Sequence, residues 1–297
     1  MKSAYLKYAA ALLLFGSNGI VASYIALTSY EIVLTRTLIA SLFLILMFAL
    51  SRQKVQFGRV RSHQFYLVVS GVAMGASWMF LYEAYAQIGV SIATLAYYCG
   101  PVIVMILSPI LFREKATSAK VLGFLAVLAG MVFVNGQALS EGKTAWGLFC
   151  GVMSAVMYAF MVIFNKKAVS ITGLENAMGQ LITSFITVAI FVGLKQGFSI
   201  DIAPGNVWPI LFLGIVNTGI GCYLYFSSIG HLPVQSVAIS GYLEPLSALL
   251  FSAALLGERL SPLQIAGAVL ILGGAVFGEI FGQKQSLPKL AASSIDP

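Results

Sequence analysis

The chain is a succession of apolar runs of about 20 residues, separated by gaps too short to hold a domain. Lipid offers the backbone no hydrogen-bond partner, so a run of this length crosses a bilayer only as a helix that satisfies its own N–H and C=O groups. Turns rich in Gly, Pro or charge divide the sequence into ten such stretches. They run roughly 5–26, 30–50, 64–87, 90–112, 118–135, 145–165, 173–194, 207–230, 234–256 and 262–281. The sizeable connections are 51–63 and 195–206, and neither has room for a soluble catalytic domain. The expected fold is an all-α polytopic membrane protein with ten transmembrane helices.

Charge supports that division. Only 9% of the residues are charged and 59% are hydrophobic, whereas a soluble domain carries about 25% charge. The net charge of +7 does not indicate nucleic acid, because the Lys and Arg residues sit in the gaps instead of clustering on one face. They report orientation. With the N-terminus inside, thirteen Lys and Arg fall on the inner side and three, Lys143, Lys195 and Arg259, on the outer, with Arg36 left inside a span. Both termini are therefore expected to be cytoplasmic, in a multi-pass protein of the cell inner (cytoplasmic) membrane. Lys2 and Lys7 before an apolar run resemble a secretory signal, but that run is about 20 residues long and a second follows at once, so a retained first helix is expected.

Few reactive groups are available. Cys99, Cys150 and Cys222 lie inside apolar segments with neither a disulfide framework nor CxxC spacing, and read as core or lipid-facing residues. The histidines, His63 and His231, lie at span ends. No HExxH, Walker A, GxGxxG or GxSxG sequence is present, so no metal site or cofactor is expected and an intramembrane enzyme fits poorly.

The chain also repeats itself at an offset of 144 residues. Tyr98, Pro101, Ser108, Leu111, Glu114, Gly123, Leu128, Gly130, Val132 and Phe133 meet Tyr242, Pro245, Ser252, Leu255, Glu258, Gly267, Leu272, Gly274, Val276 and Phe277. Apolar helices match by chance at Leu and Val, far less readily at Pro, Glu and Gly. The same offset pairs Glu31 with Glu175 and puts Gln180 where the first half has Arg36. Residues 1–136 form a first five-helix repeat, 137–144 an external linker, 145–283 a second repeat, and 284–297 a cytoplasmic tail expected to be disordered. Five spans per repeat is odd, so the second repeat enters the membrane in the opposite sense. Such inverted repeats build carriers whose central site opens alternately to either side.

These residues resemble the EamA type of the drug/metabolite transporter superfamily over nearly the whole chain. The most specific parts are Tyr98-x-x-Pro101 through Arg113-Glu114-Lys115 and Tyr242-x-x-Pro245 through Gly257-Glu258-Arg259, each followed by a Gly-spaced helix, together with Arg36 in the second span. The resemblance implies a secondary carrier, often an exporter of amino acids or other small metabolites, with a ten-helix inverted-repeat fold.

Candidate site residues follow from depth in the membrane. Glu244 lies about ten residues, roughly 15 Å, from either end of its span. A charge so deep faces a cavity or a partner. Ser236, Ser240, Glu244 and Ser247 recur at helical spacing, so they are expected on one face; the alternative is a buried neutral Glu bonded to another helix. Arg36 lies nearer the outer end of the second span, where it can pair with Glu83, as a gate or as a substrate contact. Glu31 and Glu175 read as loop anchors or caps, and Glu114 and Glu258 as acids at helix starts. Trp78, Tyr82 and Tyr85 share a stripe with Gly71 and Gly75; the two tyrosines read most simply as an aromatic belt and Trp78 as a cavity residue. Tyr97, Tyr98, Tyr242, Asn18, Ser17, Asn217 and Tyr225 complete the candidates. Aromatic walls with few polar anchors suit an amphipathic small molecule, an amino acid or an organic cation held by cation–π contact. Protons are a further candidate partner, because Glu244 can carry one.

Overall fold

The computed structural model describes residues 2–88, 90–114, 117–135, 145–198, 200–256 and 261–286. Among them no strand occurs. The helices are α1 (Lys2–Gly16), α2 (Asn18–Ser23), α3 (Ser29–Ser51), α4 (Arg61–Ile88), α5 (Val90–Tyr97), α6 (Gly100–Phe112), α7 (Ser118–Asn135), α8 (Ala145–Lys167), α9 (Gly173–Lys195), α10 (Val207–Phe212), α11 (Gly221–Ile229), α12 (Val234–Ser240), α13 (Leu243–Leu256) and α14 (Pro262–Ser286). Leu213–Ile220 winds as a π-helix and joins α10 to α11. Eight helical stretches are long and apolar enough to cross a membrane, and Gly100–Phe112 and Ser118–Phe133 are shorter apolar helices. The expected linker 137–144 and residues 287–297 of the expected tail lie outside the described residues.

Three of the expected spans are not continuous helices. The fourth breaks at Tyr98-Cys99 and the ninth at Gly241-Tyr242, positions that the 144-residue offset brings almost into register. Proline explains both, since it removes a backbone donor and crowds the preceding turn. Pro245 has no N–H for the carbonyl of Gly241, and the N–H of Glu244 donates there instead, at 3.2 Å. Pro101 stands at the equivalent place in α6. The first span breaks at Ser17, whose hydroxyl and N–H both turn back to the carbonyl of Leu14, at 2.7 and 3.1 Å.

The break between α12 and α13 overturns the expected polar face. Ser236 is buried in α12, Ser247 donates to the carbonyls of Glu244 and Leu12 at 2.8 and 3.4 Å, and the two lie on separate helices from one another. Helical spacing carries a face only through an unbroken helix.

Glycines set the closest helix contacts. A Cβ on Gly130 would lie 2.6 Å from the carbonyl oxygen of Gly267, and one on Gly274 would lie 2.6 Å from that of Gly123, so α7 and α14 pack backbone to backbone. The offset converts Gly123 into Gly267 and Gly130 into Gly274. Each glycine therefore meets the repeat partner of the other, and the two helices run antiparallel. Reciprocal contact of this kind is the signature of a twofold relation. Tyr98 and Tyr242, also repeat partners, meet in the same manner: the Tyr242 hydroxyl donates to the Tyr98 carbonyl at 2.7 Å, with ring centroids 5.9 Å apart.

The acids at helix starts act as fixings. Glu31 forms a capping box with Thr28. Glu175 accepts from the N–H groups of Gln56 and Phe57, at 2.8 and 2.6 Å, and anchors the loop between α3 and α4. Glu114 reaches across to the other half of the chain. Its carboxylate accepts from the N–H groups of Val234 and Gln235, at 2.6 and 3.0 Å, and so caps α12 in the other repeat. Glu258 lies outside the described residues.

Candidate functional site

Where the broken helices converge they leave a cavity lined by Phe15, Asn18, Arg36, Met74, Trp78, Tyr97, Tyr158, Met161, Thr218, Cys222, Tyr225, Phe226 and Glu244. It widens into a vestibule bounded by Ile25, Leu27, Ile32, Leu81, Tyr82, Tyr85 and Tyr98. The vestibule lies at the face opposite the N-terminus, the one that the charge count assigns to the outside. At the other end tyrosines close the cavity. Tyr8 donates to the carbonyl of Val237 at 2.9 Å and packs its ring on Tyr225, whose hydroxyl lies 3.4 Å from that of Tyr158.

Local structure positions each charged group. Gly16 lets α1 approach α13 so closely that a Cβ there would sit 2.9 Å from the carbonyl oxygen of Glu244. Glu244 thus lies in the first turn of α13, against the break in α1 and at the positive end of a helix dipole. Arg36, one turn further into α3 than the vestibule residue Ile32, is 5% exposed and stacks its guanidinium on Trp78, 4.3 Å from the ring centroid. Among the described residues neither the Arg36 nor the Glu244 side chain has a hydrogen-bond or ion-pair partner, and the Nε of Arg36 is buried without one. A guanidinium and a carboxyl group, neither tied to another side chain by such a bond, face one aromatic-walled cavity.

The expected pairing of Arg36 with Glu83 does not occur. Glu83 is paired with Lys195 and Tyr30, and accepts from Gln87 at 3.2 Å and Trp146 at 3.3 Å. This network sits at the rim, away from the cavity lining, because Glu83 projects from α4 toward α8 and α9. Ser240 is also elsewhere, in an apolar cleft between α1, α13 and α14 that is lined by Tyr5, Leu243 and Ile271. Tyr242 is fully buried behind the cavity wall. Asn217 is buried too, and its amide donates to Leu14 O, Ser17 Oγ and Asn18 Oδ1, at 3.0, 2.8 and 3.1 Å. It holds the break in α1 open so that Asn18 faces the cavity. The π-helix provides for this by shifting Asn217 and Thr218 out of α-helical register, with Thr218 bonding five residues back to Leu213 at 2.7 Å.

Arg36, Trp78, Tyr97, Asn18 and Glu244 share the cavity, with Tyr98 at its mouth. Tyr82 and Tyr85 line the vestibule. Cys222, read as a core or lipid-facing residue, lines the cavity with Trp78. The offset carried that signal, since 78 and 222 are repeat partners, as are the lining residues Met74 and Thr218. Tyr158, Met161 and Phe15 gave no such sign, being apolar or aromatic residues in apolar helices.

Comparison with known proteins agrees with this architecture. A solved crystal structure superimposes with a TM-score of 0.82 at 19% identity, covering 94% of this chain and 99% of its own, which shows a shared fold. The uncharacterized transporter YxxF of Bacillus subtilis is 26% identical over 92% of this chain and 88% of its own length. A probable amino-acid metabolite efflux pump of Salmonella typhimurium is 26% identical over 64% of this chain and 67% of its own. The model of the EamA-like transporter family matches twice, at residues 2–136 and 145–278, one match per repeat. The chain belongs to the EamA-like transporter family.

Proposed function

We propose that this membrane transporter is a secondary carrier that moves a small zwitterionic or amphipathic metabolite, an amino acid in the first instance, across the cell inner membrane by alternating access between two inverted five-helix repeats. The observation that carries this reading is the presence of a guanidinium, Arg36, and a carboxyl group, Glu244, neither with a hydrogen-bond or ion-pair partner for its side chain among the described residues, in one aromatic-walled cavity. A desolvated charge is retained at such depth only where a partner or a ligand meets it. An α-carboxylate fits the guanidinium, an α-ammonium fits Glu244, and an apolar side chain fits Met74, Met161 and the ring of Trp78. The efflux-pump name of the Salmonella relative supports export as the direction.

A second reading, an organic-cation or quaternary-amine carrier, draws on Glu244 and the aromatic walls. It fits less well, because Arg36 would face the cation in the same cavity. Protons are the candidate coupling ion, through Glu244. Counterflow in proteoliposomes tests the proposal: vesicles preloaded with unlabelled amino acid should accelerate uptake of the labelled one, at a rate that depends on pH. Uptake that ignores preloading indicates a pore, and counterflow of quaternary amines without amino acids establishes the second reading.

A further inference from the structure

Buried amides occupy the sealed half of the molecule. Asn165 and Asn176 are 3% and 5% exposed and bond to one another at 2.8 Å. One turn along α9, Gln180 is fully buried; its Nε2 donates to Ser70 at 2.6 Å, and its Oε1 has no partner. Three amides inside apolar helices are expensive to bury, more so with one acceptor left unmatched. Neither the cavity nor the caps described above use them.

The repeat explains their position. The offset of 144 carries Ile32 to Asn176 and Arg36 to Gln180, and it carries Val21, beside the vestibule residue Ala22, to Asn165. The amides therefore stand in the second repeat where the vestibule stands in the first, near the opposite face of the molecule. Their depth corresponds as well. Arg36 is seven residues into α3, which begins at Ser29, and Gln180 is seven into α9, which begins at Gly173. The pivot between the halves is already visible in the reciprocal contacts of Gly123 with Gly274, Gly130 with Gly267 and Tyr98 with Tyr242.

We propose that Asn165, Asn176 and Gln180 line the second half of the substrate pathway, a polar vestibule that forms when the cavity closes at its present mouth and opens toward the N-terminal face. The inference rests on the carrier reading above. It adds a chemical asymmetry between the two vestibules. Arg36, which meets the substrate's carboxylate in the cavity, also borders the present mouth, whereas its equivalent on the other route, Gln180, is a neutral amide that hydrogen-bonds the substrate and releases it.

The test uses cysteine accessibility in the full chain, with Cys99, Cys150 and Cys222 replaced, in membrane vesicles of either orientation. Asn165→Cys, Asn176→Cys and Gln180→Cys are each treated with a membrane-impermeant charged maleimide, with Ile32→Cys as the reference for the present mouth. Size-exclusion profile and membrane level select the folded variants. The expected result is labelling of Asn176→Cys and Gln180→Cys from the N-terminal face alone, and of Ile32→Cys from the opposite face alone. Absence of labelling at 176 and 180, or labelling from the face that labels position 32, overturns the inference. Exchange of a mixture of the twenty amino acids, measured on the same vesicles, decides the carrier reading separately. Exchange with silent cysteines at 176 and 180 refutes the amide vestibule and leaves the carrier standing.

Discussion

The open and the sealed ends of this molecule are built from repeat-related helices and differ in how their polar groups are partnered. At the open end Arg36 and Glu244 face a cavity without partners. At the sealed end Lys166 donates to the carbonyls of Ile229 (3.0 Å) and Leu232, Glu114 accepts from two N–H groups of α12, and Tyr8 donates to the carbonyl of Val237. Charged groups in an apolar interior are costly, and pairing them with backbone recovers that cost while fixing a geometry. Pairing thus separates groups that tie helices together, at the sealed end and in the Glu83–Lys195 pair at the rim of the open end, from the two cavity side chains that have no such partner.

The most severe break of that comparison is Glu244→Gln. The amide keeps shape and hydrogen bonding but neither offers a full charge to an ammonium nor exchanges a proton. Membrane levels should remain normal while net transport falls about 100-fold, which corresponds to the loss of one charge-assisted contact of roughly 3 kcal/mol. Initial rates in proteoliposomes at two pH values check this. Exchange that survives while pH-driven flux disappears assigns Glu244 to coupling; loss of both assigns it to binding. Wild-type rates and pH profile would make Glu244 a packing residue and remove the distinction between the ends.

Next in size is Glu114→Gln, which attacks the sealed end. It trades two charge-assisted bonds to the α12 N-terminus for neutral ones, a loss of about 1–2 kcal/mol and so a shift of roughly ten-fold in the balance of conformations. The variant should favour opening at the N-terminal face. The measurement is the labelling rate of Ile32→Cys at the present mouth, which should fall. An unchanged rate would mean that the seal lies elsewhere. Tyr242→Phe removes a single neutral hydrogen bond to Tyr98 at the contact between the repeats, worth about 1 kcal/mol, and should change the same rate by no more than about five-fold, without loss of the aromatic packing against Tyr98 and Phe124.

Much of the scaffold was legible in the sequence because its causes are local or periodic. Apolar run length marks the helices, and the offset of 144 marks the repeat through Pro101 and Pro245, which then break their helices at matching places. The site was legible only where depth and chemistry coincide, as at Glu244, Arg36 and Trp78. What failed were inferences that assume an unbroken helix or a nearest charge. Ser236, Ser240 and Ser247 share a periodicity that the turn at Gly241-Tyr242 cancels. Asn217 is polar and deep, yet its amide is spent on the break in α1, a contact about 200 residues away in sequence that no local pattern encodes. Glu114 likewise caps a helix 120 residues distant.

The smallest effect is expected at Glu83→Gln, and it sharpens the comparison most, because it sets one membrane carboxylate against another. Sequence placed Glu83 within reach of Arg36; the structure gives it to Lys195, Tyr30, Gln87 and Trp146 at the rim. The Lys195 side chain is 40% exposed, so water and salt screen the pair, and such pairs contribute about 0–1 kcal/mol. Three hydrogen-bonding neighbours remain to hold a glutamine in place. Transport by Glu83→Gln should therefore stay within about five-fold of wild type, and the pH profile should be unchanged. The comparison is made at low and at physiological salt, since a screened rim pair contributes less as ionic strength rises. If Glu83→Gln matched Glu244→Gln in severity, the partnered rim carboxylate would belong to the transport pathway, and pairing would no longer distinguish groups that tie helices together from those proposed to meet the substrate.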